Sequence, residues 1–214
     1  MIITVAGHHR IELPAELATL HLEVLANEPE RADALRRVEH RTGELLREVK
    51  RLENLQPAPV ERHVVNPPQV WTLEVTDAQG NQTGMQHRAD VAVRITFRDA
   101  TALSDFTSRW GESDDIQLGH VAWDLTEATR TRYQDEVLTE AIADARRRAR
   151  VMAAAVGAGD PTLTELADPG LLAGPDAGQA ADGAARFALA RSEPVEVAPD
   201  LMVLSATVHA RFQA

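Results

Sequence analysis

The chain has 214 residues, with 22 Lys and Arg against 33 Asp and Glu, so its formal net charge is −11. Surfaces that bind nucleic acid carry the opposite balance, and four Phe, three Trp and one Tyr offer few rings for stacking bases. The absence of cysteine excludes disulfides, thiolate nucleophiles and zinc-thiolate sites. We therefore expect no nucleic-acid partner.

The start of the chain, MIITVAGHHRIEL, has no charged segment followed by a long apolar one. No run of about 18 apolar residues, the length that spans a membrane, occurs anywhere in the sequence. The sequence therefore predicts a soluble, cytoplasmic protein with no membrane span. Its length suits one domain or two intertwined halves.

The first quarter of the chain predicts strands followed by a long helix. Ile2–Val5 and Arg10–Leu13 are expected as strand pieces around Gly7. Leu17–Leu25 alternates between apolar and polar residues, as a half-buried strand does. From Pro29 to Glu53 the spacing changes to three and four residues, which indicates one helical stripe. Its members are Leu35, Val38, Thr42, Leu45, Val49 and Leu52.

The middle of the chain returns to strands after a proline-rich break. Three strands are predicted, at Val60–Val65, Val70–Thr76 and Ala89–Phe97, with a hairpin loop at Asp77–Asn81. A short helix, Ala102–Trp110, ends at Gly111, and a strand follows at Ile116–Leu125.

A second long helix is predicted from Tyr133 to Val156, and Gly157 is expected to end it in the left-handed conformation. The middle of its predicted stripe is alanine, with Ala141 beside Ala145 and Ala149, so this face can lie close against another layer. The basic run from Arg146 to Arg150 could bind phosphate, but it also suits a solvated face near the negative end of the helix dipole, which is our interpretation. The stripe comprises Leu138, Ile142, Ala145, Ala149, Met152 and Val156.

The last part of the chain predicts a loop and a strand. Asp168–Ser192 is rich in Ala, Gly, Asp and Pro and shows no period, which favours a mobile loop. Within it, Phe187 could instead dock on a partner. Met202–Phe212 alternates as a long strand does.

Several blocks of the chain resemble the SIMPL-domain family (DUF541). Ile3–Gly7 leading to Pro14–Ala18 is similar to the family's opening strand and glycine step. Residues 141–157 are similar to its second-helix signature, Ala-x-x-Asp-Ala-Arg-x-Lys-Ala, and the glycine after it. Gly84–Phe97 and Glu193–Phe212 resemble a middle and a closing strand. The resemblance implies an α+β sheet backed by two long helices and, in some members, a ring-like homo-oligomer; it implies no reaction.

The predicted architecture is α+β, a mainly antiparallel sheet backed on one face by two long helices. We expect one domain over residues 1–214, with the mobile loop at 168–192. Apolar residues on both faces of two strands, among them Leu201, Val203 and Trp123, suggest that a second layer covers the sheet. Another copy of the chain, or the loop itself, could supply that layer.

Candidate site residues do not form a motif. His8 and His9 point to opposite faces of an extended strand, so one of them with His21 is the conceivable metal pair, and it lacks a third ligand. The remaining candidates are scattered histidines and neighbouring carboxylates: His63, His87, His120 and His209, Asp114 with Asp115, and Glu136 with Glu140. We therefore assign no catalytic, cofactor or metal residue.

These observations favour a non-enzymatic protein that self-assembles or binds another protein. A small-ligand or metal-binding module is the alternative, and an enzyme of unrecognised type is the third hypothesis. No cofactor is expected, and a homo-oligomer is the expected state.

Overall fold

The computed structural model describes residues 1–76, 82–172 and 200–214, and at positions 75, 76, 82 and 83 it describes the backbone alone. The described part of the chain forms three helices and eight strands, and each strand pair is antiparallel. The predicted α+β class is confirmed. In chain order the elements are β1 (Ile2–Pro14), β2 (Leu17–Glu28), α1 (Arg31–Glu53), β3 (Val60–Val65), β4 (Gln69–Thr76), β5 (Gln82–Phe97), α2 (Ala100–Trp110), β6 (Ile116–Asp124), α3 (Glu127–Ala155), β7 (Thr162–Ala167) and β8 (Leu201–Gln213).

The described elements belong to two compact units, each with its own sheet. The three-stranded unit contains the sheet β1-β8-β7 and α3. The five-stranded unit contains the sheet β3-β5-β2-β6, with β4 also paired to β5, together with α1 and α2. Each long helix therefore packs against a different sheet, whereas the sequence prediction placed both on one. Matched stripes show that each helix covers a sheet but not that the sheet is shared.

In the five-stranded unit, the predicted stripe of α1 is confirmed. Leu35 and Leu52 at its ends pack against the core while partly exposed. The stripe meets the apolar side of β2 and β5, where every second residue is buried. The buried members of α1 are Ala34, Val38, Thr42, Leu45 and Val49.

In the three-stranded unit, β1 runs without a break and pairs with β8 from Ile2↔Gln213 to Pro14↔Leu201. The predicted interruption at Gly7 is therefore wrong. A Cβ at Gly7 would come within 2.7 Å of the Ala145 nitrogen and closer still to the Ala141 carbonyl oxygen. Gly7 thus permits the close approach of α3 and does not make a turn.

Helix α3 is longer than predicted and is rotated relative to the predicted stripe. It starts after Thr126, whose hydroxyl accepts a bond from the Thr129 N–H. Residues spaced by four form its buried line, while Leu138, Met152 and Val156 are exposed. Because Gly7 brings α3 close to β1, there is room only for alanines in the contact between them, which we call the seam. The longer side chains of α3 point away from it. The buried line is Val137, Ala141, Ala145, Ala149 and Ala153.

The predicted end of α3 is confirmed. Gly157 has φ of +71°, in the left-handed region. Its N–H bonds to the Ala154 carbonyl, and the Ala158 N–H bonds to the Ala153 carbonyl at 2.9 Å. These two bonds satisfy carbonyl groups that the helix would otherwise leave free.

Strand β7 was missed, because Thr162–Ala167 is short and lacks clean alternation. The larger part of the predicted mobile loop, 173–192, with Phe187, lies outside the described residues, as does the hairpin loop Asp77–Asn81. Among the helices that the structure describes, none is both long and apolar enough to span a membrane.

Candidate functional site

Strand β6 contains a bulge that changes which face its side chains occupy. Leu118 lies opposite Leu22, and Val121 lies opposite Leu20, so β6 has one residue more than β2 between these pairs. The extra residue falls at Gly119–His120. As a result Leu118, Val121 and Trp123 all pack against the core of the five-stranded unit. The prediction that β6 is apolar on both faces is therefore wrong, since strict alternation does not continue through a bulge.

The bulge places two histidine rings against each other on the outer face of the sheet. The rings of His21 and His120 stack with centroids 4.2 Å apart and planes inclined by 17°. A Cβ at Gly119 would approach the His21 carbonyl oxygen to 2.8 Å, so glycine is required for this approach. A glycine inside a strand was the signal in the sequence that could have located the pair.

A polar concavity of about 350 Å³ surrounds the histidine pair. Arg94 of β5 lies directly opposite His21 in the strand register. Glu23, Asn66 and Gln117 complete the polar lining. Burial lowers the pKa of His21, and the positive charges of His120 and Arg94 lower it further. This site can donate hydrogen bonds from several side chains at once.

His8, His9 and His21, which the sequence offered as a conceivable metal pair without a third ligand, each have neighbours within their own unit. His8 and His9 lie on one extended strand, where the ring nitrogen Nδ1 of His8 is 3.1 Å from the Thr207 hydroxyl. His21 has His120 as its neighbour. The part of the chain described by the structure holds no group of three or more metal-ligating side chains.

The other candidates are distributed over the surface and bond locally. His63 Nδ1 lies 2.6 Å from Glu53 Oε1. His87 Nδ1 lies 3.2 Å from the Thr72 hydroxyl, and His209 is partly buried on β8. These histidines are not brought together within the units described.

Neither of the two carboxylate pairs that the sequence offered forms a shared site. Asp115 binds Arg41, with Oδ2 2.8 Å from Nε, whereas Asp114 is exposed. Glu136 and Glu140 are both exposed on α3. The neighbours Asp114 and Asp115 therefore do not share a partner, because adjacent residues point in different directions.

A second surface with functional potential is the edge of β4. Among the described strands, β4 pairs with β5 alone, from Gln69↔Asp90 to Thr76↔Gln82, so its other edge has no strand beside it. Two large apolar side chains stand on the outer face of this edge: Trp71 is 54% exposed and Leu73 is 43% exposed. The indole N–H of Trp71 donates to Asp90 Oδ1 at 2.8 Å, which fixes the ring across the hairpin.

The other edges of the five-stranded sheet have features that hinder pairing. Strand β3 is short, carries Glu61 and Arg62, and has Pro59 before it and Pro67 after it. Strand β6 is interrupted by its bulge. Charges, prolines and bulges are the usual means by which edge strands avoid association. Strand β4 has eight residues with one charge, Glu74, and no proline, so it is the least protected of the three.

The helix signature that resembles the SIMPL pattern ties α3 to β1. Asp144 Oδ2 accepts a bond from the His8 N–H at 3.1 Å, and Arg148 donates to the Ala6 carbonyl at 2.5 Å. The alanines beside them face Gly7. Within the basic run, Arg148 thus contacts β1, Arg147 pairs with Asp144 and Arg150 with Asp160.

Comparison with known proteins identifies the chain at the level of a family. The SIMPL model, whose description is "Protein of unknown function (DUF541)", matches residues 3–212. No curated protein matches the chain.

Proposed function

Because the chain belongs to the SIMPL family, whose description assigns no function, we propose its role from its own surface: it self-associates through β4. In this proposal, β4 of one copy pairs with β4 of a second copy and extends the sheet. The exposed edge with Trp71 and Leu73 is the observation that carries the proposal. The protein then acts by contact and not by catalysis.

Antiparallel pairing about a two-fold axis normal to the sheet restricts the register. Residues directly opposite each other share a face, so the two paired residue numbers must have an even sum. With Thr72 opposite Thr72, Trp71 of each copy lies opposite Leu73 of the other. All four apolar side chains then meet on one face.

Charge favours the same register. Glu74 would lie opposite Val70 of the second copy, and the two glutamates would be four residues apart along the strands, or about 13 Å. That separation exceeds the screening length of about 8 Å at physiological ionic strength. A register with Glu74 opposite Glu74 would place like charges together and is disfavoured.

Light scattering coupled to size exclusion tests this proposal. One pair of short strands buries less surface than a standard interface, so we expect the average mass to rise above that of one 23.4 kDa subunit as concentration increases. The double variant Trp71→Lys, Leu73→Lys should remain a single subunit, because lysines on an edge prevent strand pairing. Circular dichroism would confirm that the variant is folded.

Val151→Lys is the matched control, since Val151 is another exposed apolar residue, on α3. It should associate like the unmodified protein. A mass of one subunit at every concentration would overturn the proposal. If Val151→Lys abolished association and the β4 variant did not, the interface would belong to α3. Association with a different protein through β4, lost in the same double variant, would replace the second copy as the occupant of the edge.

A further inference from the structure

We propose that the concavity around His21, His120 and Arg94 binds a phosphate group, either as the free ion or as a monoester. The proposal is independent of self-association, because it rests on the outer face of the sheet and not on its edge. The donors come from three neighbouring strands, β2, β5 and β6, and converge on one concavity.

The side chains around the concavity are mainly hydrogen-bond donors. The His21 and His120 rings are stacked, so their ring edges remain available to a ligand beside the stack. Arg94 is the direct cross-strand neighbour of His21 and is exposed. Asn66 and Gln117, whose side chains are amides, also line the concavity. Guanidinium, imidazolium and amide groups together suit the several acceptor oxygens of a phosphate.

The charge balance favours an anion once an imidazole is protonated. Arg94 contributes one positive charge and Glu23 one negative charge, so the sum is zero with both rings neutral. Each ring that is protonated beside a bound anion adds one positive charge, up to +2. A cation would instead meet a guanidinium beside only two imidazoles, whereas zinc sites use three or four protein ligands.

More distant charges on the same face do not reverse this balance. By register, Arg62 of β3 stands opposite Thr96, on the outer side of the sheet. Asp90 and Asp124 are each four residues from Arg94 and His120 along their strands, or about 13 Å. Asp90 also accepts the Trp71 indole bond.

Protonation couples to binding with a defined sign. The lowered pKa of His21 leaves this ring largely neutral above its ordinary value of about 6.5. A bound anion stabilises the protonated ring and raises its pKa again. The affinity of the site for an anion of constant charge should therefore increase as pH falls and the His21 ring becomes protonated.

Calorimetric titration of the full chain tests the site, with inorganic phosphate and phenyl phosphate as separate ligands at constant ionic strength. Tighter binding of phenyl phosphate would identify a monoester as the occupant, and tighter binding of inorganic phosphate would identify the free ion. Sulfate, which remains a dianion, reports the pH dependence. Arg94→Gln should weaken binding about tenfold or more, because it removes charge-assisted bonds.

Arg36→Gln is the matched control, since Arg36 is an exposed arginine of α1 that pairs with Asp33. It should bind like the unmodified protein. His120→Asn should weaken sulfate binding at low pH more than at high pH, and the His21 ring signals in NMR should report a higher pKa when sulfate is present. The proposal is overturned if none of the anions saturates, if Arg94→Gln binds as tightly as Arg36→Gln, or if the His21 pKa is the same with and without sulfate.

Discussion

Gly7 determines how closely α3 approaches the three-stranded sheet. A side chain there would collide with the backbone of α3, including the Ala145 nitrogen at 2.7 Å. Backbone atoms cannot move aside as the end of a flexible side chain can. The glycine is therefore needed for space, although its place between two predicted strand pieces made a turn the more obvious interpretation.

We predict that Gly7→Ala destabilises the protein at the upper end of about 1 to 3 kcal/mol, the usual range for overpacking. Gly43→Ala is the control, because a Cβ at Gly43 in α1 meets nothing within 4 Å. That change should stabilise the helix by about 0.5 to 1 kcal/mol. Urea unfolding measures both free energies, and equal effects of the two changes would contradict the close approach at Gly7.

Asp144 fastens the same seam, and its contribution depends on pH. The bond from the His8 N–H lowers the pKa of Asp144, and the charges of Arg147 and Arg148 lower it further. The folded state thus binds fewer protons than the unfolded state at acid pH. The stability that the ionised Asp144 contributes is fully present above the ordinary carboxyl pKa of about 4. It is lost as pH falls through the lower pKa that Asp144 has in the folded state.

Asp144→Asn should therefore cost about 1 to 2 kcal/mol at neutral pH, the loss of one charged hydrogen bond. The difference in free energy of unfolding between this variant and the unmodified protein should become smaller as pH falls below about 4. Asp160→Asn, at an exposed carboxylate, is the control and should stay within about 0.5 kcal/mol. A difference that stays constant between neutral and acid pH would show that the Asp144 charge is not responsible.

At the scale of elements, α1 and α3 show what an apolar pattern can and cannot predict. In α1 the bulky apolar residues face the core, since Val38, Leu45 and Val49 are buried and Leu35 and Leu52 pack against the core while partly exposed, so spacing alone located the stripe. In α3 the bulky Leu138 and Met152 are exposed, as is Val156 directly after the helix, and the buried line consists largely of alanine. Side-chain size is misleading where a glycine on the opposing strand draws the helix close.

The candidate site was less predictable than the helices. The alternation of Leu17–Leu25 is enough to place His21 on the polar side of its strand, but its partner depends on the bulge at Gly119. A bulge shifts the register by one residue, and this shift brought His120 beside His21 while turning Val121 and Trp123 toward the core. Alternation gives the faces of a strand only as far as the next irregularity.

Replacing Ala145 by leucine should overpack the seam between α3 and β1, since Ala145 is fully buried. We expect a loss of about 1 to 3 kcal/mol in the free energy of unfolding. Ala154→Leu adds the same side chain at an exposed position of the same helix and should change stability by less than about 0.5 kcal/mol. Chemical denaturation of both variants measures the contrast. Equal stabilities would mean that the Ala145 face is open.

At the scale of the whole molecule, the expectation of self-association remains, but its basis has changed. The sequence suggested it from two strands with apolar residues on both faces. The bulge in β6 removes one of these strands, while Leu201 and Val203 of β8 are exposed as expected. The stronger reason is now the edge of β4, because an exposed apolar edge offers both hydrogen bonds and side-chain contacts to another strand.

Amide hydrogen exchange should locate the interface within the assembly. Along an edge strand, alternate N–H groups point away from the sheet and exchange with water in a single subunit. If two copies pair through β4, these groups become bonded, so exchange in Gln69–Thr76 should slow as concentration rises through the range where mass increases. Val60–Val65, in β3 on the same sheet, serves as the internal control and should keep its exchange rate.

In the double variant Trp71→Lys, Leu73→Lys, exchange should not depend on concentration in either strand. If mass increases while exchange in β4 stays constant, the copies meet through another surface, and the exposed side of α3 at Val151 and Val156 is then the next to test.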